Sequence, residues 1–153
     1  MAGTYIYFVA TKTKEQRVVL CRWVERFYED GKRVQVVVDS PQAAQHMDQL
    51  LWSFSQSSFI PHRIISSRSA GDIVEPVAIT VGEVFLEGFD VLVCDGRPNL
   101  GFMGRYPLAV HFVLLDDIEQ RQESRMLWQT AREQGFQLEH VAQRSAEDMD
   151  GRG

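Results

Sequence analysis

The sequence predicts an α/β fold, with one mainly parallel central sheet carrying helices on both faces. Three observations predict it. Val34-Gln35-Val36-Val37-Val38 is a nearly continuous β-branched run, the composition of a strand covered on both sides. Runs of similar character recur at 77–81, 89–94 and 108–115. Between such runs the apolar spacing changes to that of amphipathic helices, and this alternation is what an open parallel sheet requires. The expected strands lie near 5–9, 34–38, 91–94 and 109–114.

The elements follow in order. Tyr5-Ile6-Tyr7-Phe8-Val9-Ala10 is aromatic and β-branched and stops at Thr11-Lys12, so it reads as the first strand. Residues 14–30 place Val19, Trp23, Val24 and Phe27 on one helical face, and Gly31 ends that helix. After the second strand, Ser40-Pro41 is a helix start, with serine as N-cap and proline at the first helical position. The helix over 41–53 carries Ala44, Met47, Leu50 and Leu51. Phe59 to Ile65 has extended character, 66–72 is a polar loop, and 95–104 reads as a connection. Residues 116–134 form the last long helix, with Asp117 as N-cap and Gly135 as its end, and 136–141 supply a final strand. One domain is expected over 1–142. Residues 143–153, with Glu147, Asp148 and Asp150, read as an acidic disordered tail.

Composition limits the function. With 21 acidic and 16 basic side chains the net charge is −5, which repels nucleic acid and anionic membranes as a whole. A role on DNA therefore needs a local basic patch or a protein intermediary. Cys21 and Cys94 are isolated, with no CxxC spacing, and fit small buried hydrophobes in a reduced cytoplasmic protein. No leader is read at the N-terminus, and no run approaches the roughly 18 apolar residues of a membrane span.

Catalytic and nucleotide-binding motifs are incomplete in this sequence. Gly96 and Gly101 have P-loop spacing, but Phe102-Met103 stand where lysine and a hydroxyl are needed. No GxGxxG follows the first strand, and no nucleophile elbow occurs. His46, His62, His111 and His140 have no metal-ligand spacing. His62 reads as a structural or surface group and His111 as a satisfied core group. No cofactor or metal is expected.

Two constellations remain. In the first, Trp52, Phe54 and Phe59 punctuate a small-polar stretch that includes Ser57-Ser58 and leads to Ile60-Pro61-His62. Large aromatics in such a setting are anchors for a partner, or they turn inward and complete the core. In the second, Arg121, Arg125, Trp128 and Arg132 are spaced by four, three and four residues and so share one helical face. Leu127 and Ala131, with Met126 and Thr130, are assigned to the inward side. Three guanidinium groups beside an indole are a local receptor for an acidic chain with an aromatic or terminal carboxylate. The competing account is a solvated face on which the arginines pair with Glu119, Glu123 or Glu133 and Trp128 is half buried.

Gly31-Lys32-Arg33-Val34, Leu51-Trp52, Ser58-Phe59-Ile60-Pro61-His62 and Gly135-Phe136, at their separations, resemble the chi subunit of bacterial DNA polymerase III. The likeness spans most of 4–141; between 66 and 107 it is one of pattern only. It implies a Rossmann-like fold and an adaptor without catalytic activity, joined to the clamp loader through a small psi subunit. It also implies a grip on the acidic C-terminal tail of single-stranded DNA-binding protein, with DNA contact mainly indirect. Carried over by position, Trp52 and Phe59 face psi, with Pro61 shaping the turn. Arg121, Arg125, Trp128 and Arg132 bind the tail, and Val113, aligned through a one-residue gap near 114–117, is its apolar wall. Trp128 stands where the family has a tyrosine-like residue. The acidic extension from Glu147 is outside the family pattern and is a rival for the arginine stripe. Two other readings stay open: a nucleotide- or small-molecule-binding α/β domain, possibly a degenerate enzyme, and direct binding of single-stranded DNA.

Overall fold

The computed structural model describes residues 3–55, 59–65, 73–97 and 99–142. Ser57-Ser58, the polar loop at 66–72 and the acidic tail from 143 lie outside the described residues. Among those described, seven strands form one sheet: β1 (Tyr5–Thr11), β2 (Val34–Val38), β3 (His62–Ile65), β4 (Val77–Val81), β5 (Val91–Cys94), β6 (Leu108–Leu114) and β7 (Gln137–Val141). Their order is β3-β4-β2-β5-β6-β1-β7, and every pairing is parallel. The helices are α1 (Gln16–Glu29), α2 (Pro41–Ser53), α3 (Leu100–Met103) and α4 (Ile118–Glu133).

The period of two along each strand sorts the core into two layers. Val34, Val36 and Val38, with Val91 and Val93, meet Leu20, Cys21 and Val24 of α1 and Ala44, Met47 and Leu51 of α2. On the opposite face Ile6, Phe8, Leu92 and Ala109 meet Phe102 and Met103 of α3 and Ala131 of α4. Helices thus cover both faces, as the β-branched runs predict. Both cysteines are free and buried, and burial pushes each thiol up to about 12. No helix among the described residues is long and apolar enough to cross a membrane.

The expected helix signals are used. Ser40 Oγ accepts from the Ala43 amide at 3.1 Å with Pro41 next in the chain, and Asp117 Oδ1 accepts from the Gln120 amide at 3.1 Å. Gly31 and Gly135 follow α1 and α4 at φ 79° and 90°, the left-handed conformation that ends a helix without a Cβ clash. Boundaries move where a local bond competes. The strand expected from Phe89 begins at Val91, because the Asp90 carboxylate accepts from the Arg33 amide at 2.8 Å. The connection at 95–104 contains α3, capped by Asn99 Oδ1, which accepts from the Phe102 amide at 3.2 Å.

Gln35, the one polar residue in the second strand's run, is fully buried. Its amide donates to Thr80 Oγ1 at 2.9 Å and to the Val84 carbonyl at 2.7 Å. The Tyr106 hydroxyl donates to Gln35 Oε1 and accepts from the Leu86 amide at 3.3 Å. Burial pushes that hydroxyl up to about 12, so it remains a donor. Tyr106→Phe strands an amide oxygen and a backbone N–H in the core, with an expected loss of about 1–3 kcal/mol. A urea midpoint that does not move, at constant slope, would show the network to be dispensable.

Candidate functional site

Trp52 occupies the last turn of α2, where its neighbour Leu51 supplies the buried side of the helix. The indole is 49% exposed and the Phe59 ring 67% exposed. Their centroids are 5.3 Å apart, within the range of favourable aromatic pairing. The two side chains form one patch and do not complete the core. Between them in the chain, Ile60 is fully buried and anchors the segment, and half-buried Pro61 turns it into β3.

His62 is the residue that sequence reasoning undervalued: it is 8% exposed and not a surface group. Its Nδ1 faces the Ile60 carbonyl at 2.8 Å. Its Nε2 faces the Asp48 carboxylate at 3.0 Å and the Asp48 carbonyl at 3.2 Å. The imidazole also lies 4.3 Å from the Trp52 ring, centre to centre. Asp48 precedes Trp52 by four residues on α2, so one helical side presents both. That spacing was the available signal.

The second surface is on α4. Arg121, Arg125 and Arg132 are exposed along one flank, and Trp128 is half buried at the inner edge of that flank. Its indole meets Phe8 of β1 edge-to-face at 4.9 Å, so only part of the ring is accessible. Val113 is half buried on the α4 side of β6 and joins the same apolar cluster as Trp128. The inward seam comprises Ser124, Leu127 and Ala131. Met126 is 67% exposed and Thr130 is exposed, correcting their expected inward placement: each lies one residue before a seam residue, about 100° around the helix from it. Glu119 and Glu123 do not pair with the stripe. They turn to Arg97, at 3.8 and 3.5 Å, on the other flank. Among the described residues the three arginines of the stripe enter no ion pair.

Beneath the acidic flank of α4, at the carboxyl ends of β5 and β6, lies a cavity of about 330 Å³ bordered by Asp95, Arg97, His111, Glu123, Ser124 and Leu127, among others. Open parallel sheets hold ligands at this end, but the charges do not suit a phosphate. Asp39 carries its carboxylate against Gly96, the first glycine of the P-loop-like spacing, where an added Cβ would collide with it. Asn99 Oδ1 already occupies the Phe102 amide in the first turn of α3. Asp95 is taken up by Arg17, with contacts of 3.0 and 3.1 Å. His111 was expected to be fully satisfied and is only half so: Nε2 bonds Ser124 Oγ at 2.8 Å, while Nδ1 has no partner among the described residues. Burial lowers its pKa to about 4, leaving it neutral. No group of three or more possible metal ligands occurs among the described residues.

This chain has relatives among known proteins. The family model described as DNA polymerase III chi subunit, HolC, matches residues 3–139. The DNA polymerase III subunit chi of Pseudomonas aeruginosa is 28% identical over 121 residues, covering 79% of this chain and 82% of its own. That of Haemophilus influenzae is 26% identical over 141 residues, covering 90% and 96%. Among solved structures, S. cerevisiae Dbp5 bound to RNA and ADP BeF3 superposes with a TM-score of 0.67 at 12% identity, over 98% of this chain and 44% of that one. Domain 2 of the Mss116p DEAD-box helicase gives 0.60 at 9% identity, over 98% and 67%. This chain spans less than half of the Dbp5 chain, and at such identity the likeness is one of fold alone.

Proposed function

This chain belongs to the DNA polymerase III chi subunit family, an accessory part of the replication machinery, and on that premise we propose that it is a non-catalytic adaptor. One surface, Trp52 and Phe59 shaped by Pro61, binds a psi-like subunit of the clamp-loader complex. The other, Arg121, Arg125, Trp128 and Arg132 with Val113 as apolar wall, binds the C-terminal tail of single-stranded DNA-binding protein. The observation that carries the reading is the separation of the two surfaces. The aromatic patch belongs to α2 and the segment that leads into edge strand β3, the stripe to α4 beside β1 and edge strand β7. They lie on opposite faces of the sheet, and six strand spacings, about 29 Å, separate the edges. Two partners can therefore be held at once without contact between them, which a bridge requires.

The test is a bridging assay. Psi immobilised on beads is expected to retain single-stranded DNA-binding protein only when this chain is added. Retention should vanish when the DNA-binding protein lacks its C-terminal tail. Retention without this chain, or undiminished by tail removal, would overturn the reading. Binding of naked oligonucleotide with a steep salt slope would favour the direct DNA reading instead.

A further inference from the structure

The aromatic patch is made of two exposed rings on different segments, and something must hold them in register. Trp52 is on a helix, while Phe59 belongs to the irregular segment that precedes β3. His62 spans that gap. It bonds α2 through Asp48 and its own segment through the Ile60 carbonyl, and its ring lies tilted against that of Trp52.

The protons of this arrangement can be counted. A backbone carbonyl accepts hydrogen bonds and cannot donate, so Nδ1, facing the Ile60 carbonyl, carries a hydrogen. Nε2 faces a carboxylate and a second carbonyl, both acceptors, so it carries one as well. Neutral imidazole has one N–H and imidazolium has two. We infer that His62 is the positioning residue of the Trp52–Phe59 surface and holds it as an imidazolium, so that the surface loosens, and its partner is released, as the pH rises. This rests on the proposed psi-like partner only for the identity of what is released.

The surroundings leave Asp48 as the relevant counter-charge. On α2 the other titratable group is His46, which faces Arg17 of α1 at 2.6 Å. Arg63, the next residue of β3, pairs with Glu75 at 3.8 Å and, being one residue on, points to the opposite side of the strand. Neighbouring β4, Val77–Val81, carries no charge. Losing the Nε2 or Nδ1 proton to solvent breaks one of the two links, and frees either α2 or the Phe59 segment.

The experiment uses the full chain, without partner and then with it. Histidine side chains are labelled with 15N, the His62 signals are assigned by His62→Gln, and spectra are taken from about pH 5.5 to 8.5. Two N–H signals for His62 at the acid end are expected, with the Trp52 indole signal moving in step as one is lost. A ring with one bare nitrogen throughout, or an indole signal that ignores the His62 titration, overturns the inference. Affinity for purified psi is then expected to fall by about tenfold across the same range, equivalent to about 1.4 kcal/mol. In His62→Gln the profile should be flat and weak. A flat wild-type profile also overturns the inference and needs no variant to fold. Should the two N–H signals and the coupled indole shift be present while psi binds at no pH, the inference about the surface holds and the assignment of its partner falls.

Discussion

Truncating Trp52 to alanine is expected to weaken binding of the psi-like subunit by about thirtyfold or more, the cost of about 2 kcal/mol typical of an aromatic hot spot. Half of the indole is accessible, yet it is braced on two sides, by Phe59 at 5.3 Å and His62 at 4.3 Å. A large side chain already fixed in one orientation loses little freedom when a partner covers it. Because Trp52 takes no part in the sealed core, which Leu51 completes, its removal should leave the urea midpoint of the free chain within about 0.5 kcal/mol of the original. Phe59→Ala should weaken binding too, and the double variant by less than the sum, since the rings touch. Isothermal titration of each variant with psi decides the matter. Normal binding by Trp52→Ala, or a domain that unfolds, would mean that the indole serves the fold.

Arg125→Ala is expected to reduce affinity for the tail peptide of single-stranded DNA-binding protein by about tenfold or more. A charge-assisted hydrogen bond contributes about 1.5–3 kcal/mol, and arginine's planar fork can give two to one carboxylate. The structure makes the prediction sharper than spacing alone allows. Arg97 draws Glu119 and Glu123 to the far flank, so the stripe faces solvent without neutralising acids among the described residues. Trp128→Ala should weaken the same peptide, and also the fold, because the indole packs on Phe8 at 4.9 Å. Trp128→Phe, which keeps a ring against Phe8, separates those two effects. Raising the salt should weaken binding, through local rather than long-range attraction in a chain of net charge −5. Equal affinity of the peptide for wild type, Arg125→Ala and Trp128→Phe would remove this site from the proposal.

Removing the acidic residues from 143 onward offers a related control in the same titration. If Glu147, Asp148 and Asp150 rival the peptide for the stripe, their loss should raise its affinity.

The layered architecture is legible along the chain. Strands rich in valine and isoleucine, alternating with segments of helical period, allow few arrangements other than a parallel sheet with two covered faces, since both strand faces must be buried. Helix limits were legible for the same reason: Ser40-Pro41, Asp117, Gly31 and Gly135 satisfy or terminate backbone groups through bonds only a few residues long. The arginine stripe, too, follows from 3.6 residues per turn. Tertiary structure alone decided which side chains face outward at those places. Trp52 could fill a core or leave it, and the choice fell to Ile60 and Leu51, which complete that layer from other positions. Met126 looked apolar enough to bury, yet the seam of α4 is set by where β1 and β6 lie beneath it, and Ser124 faces inward for the sake of His111. Likewise, neither the freedom of the stripe nor the anchoring of His62 between Asp48 and Ile60 can be read along the chain. Arg97 is more than 20 residues before Glu119, and the His62–Asp48 contact joins a strand to a helix. Short-range bonds are written in local sequence, whereas partners distant along the chain are assigned only once the sheet has brought them together.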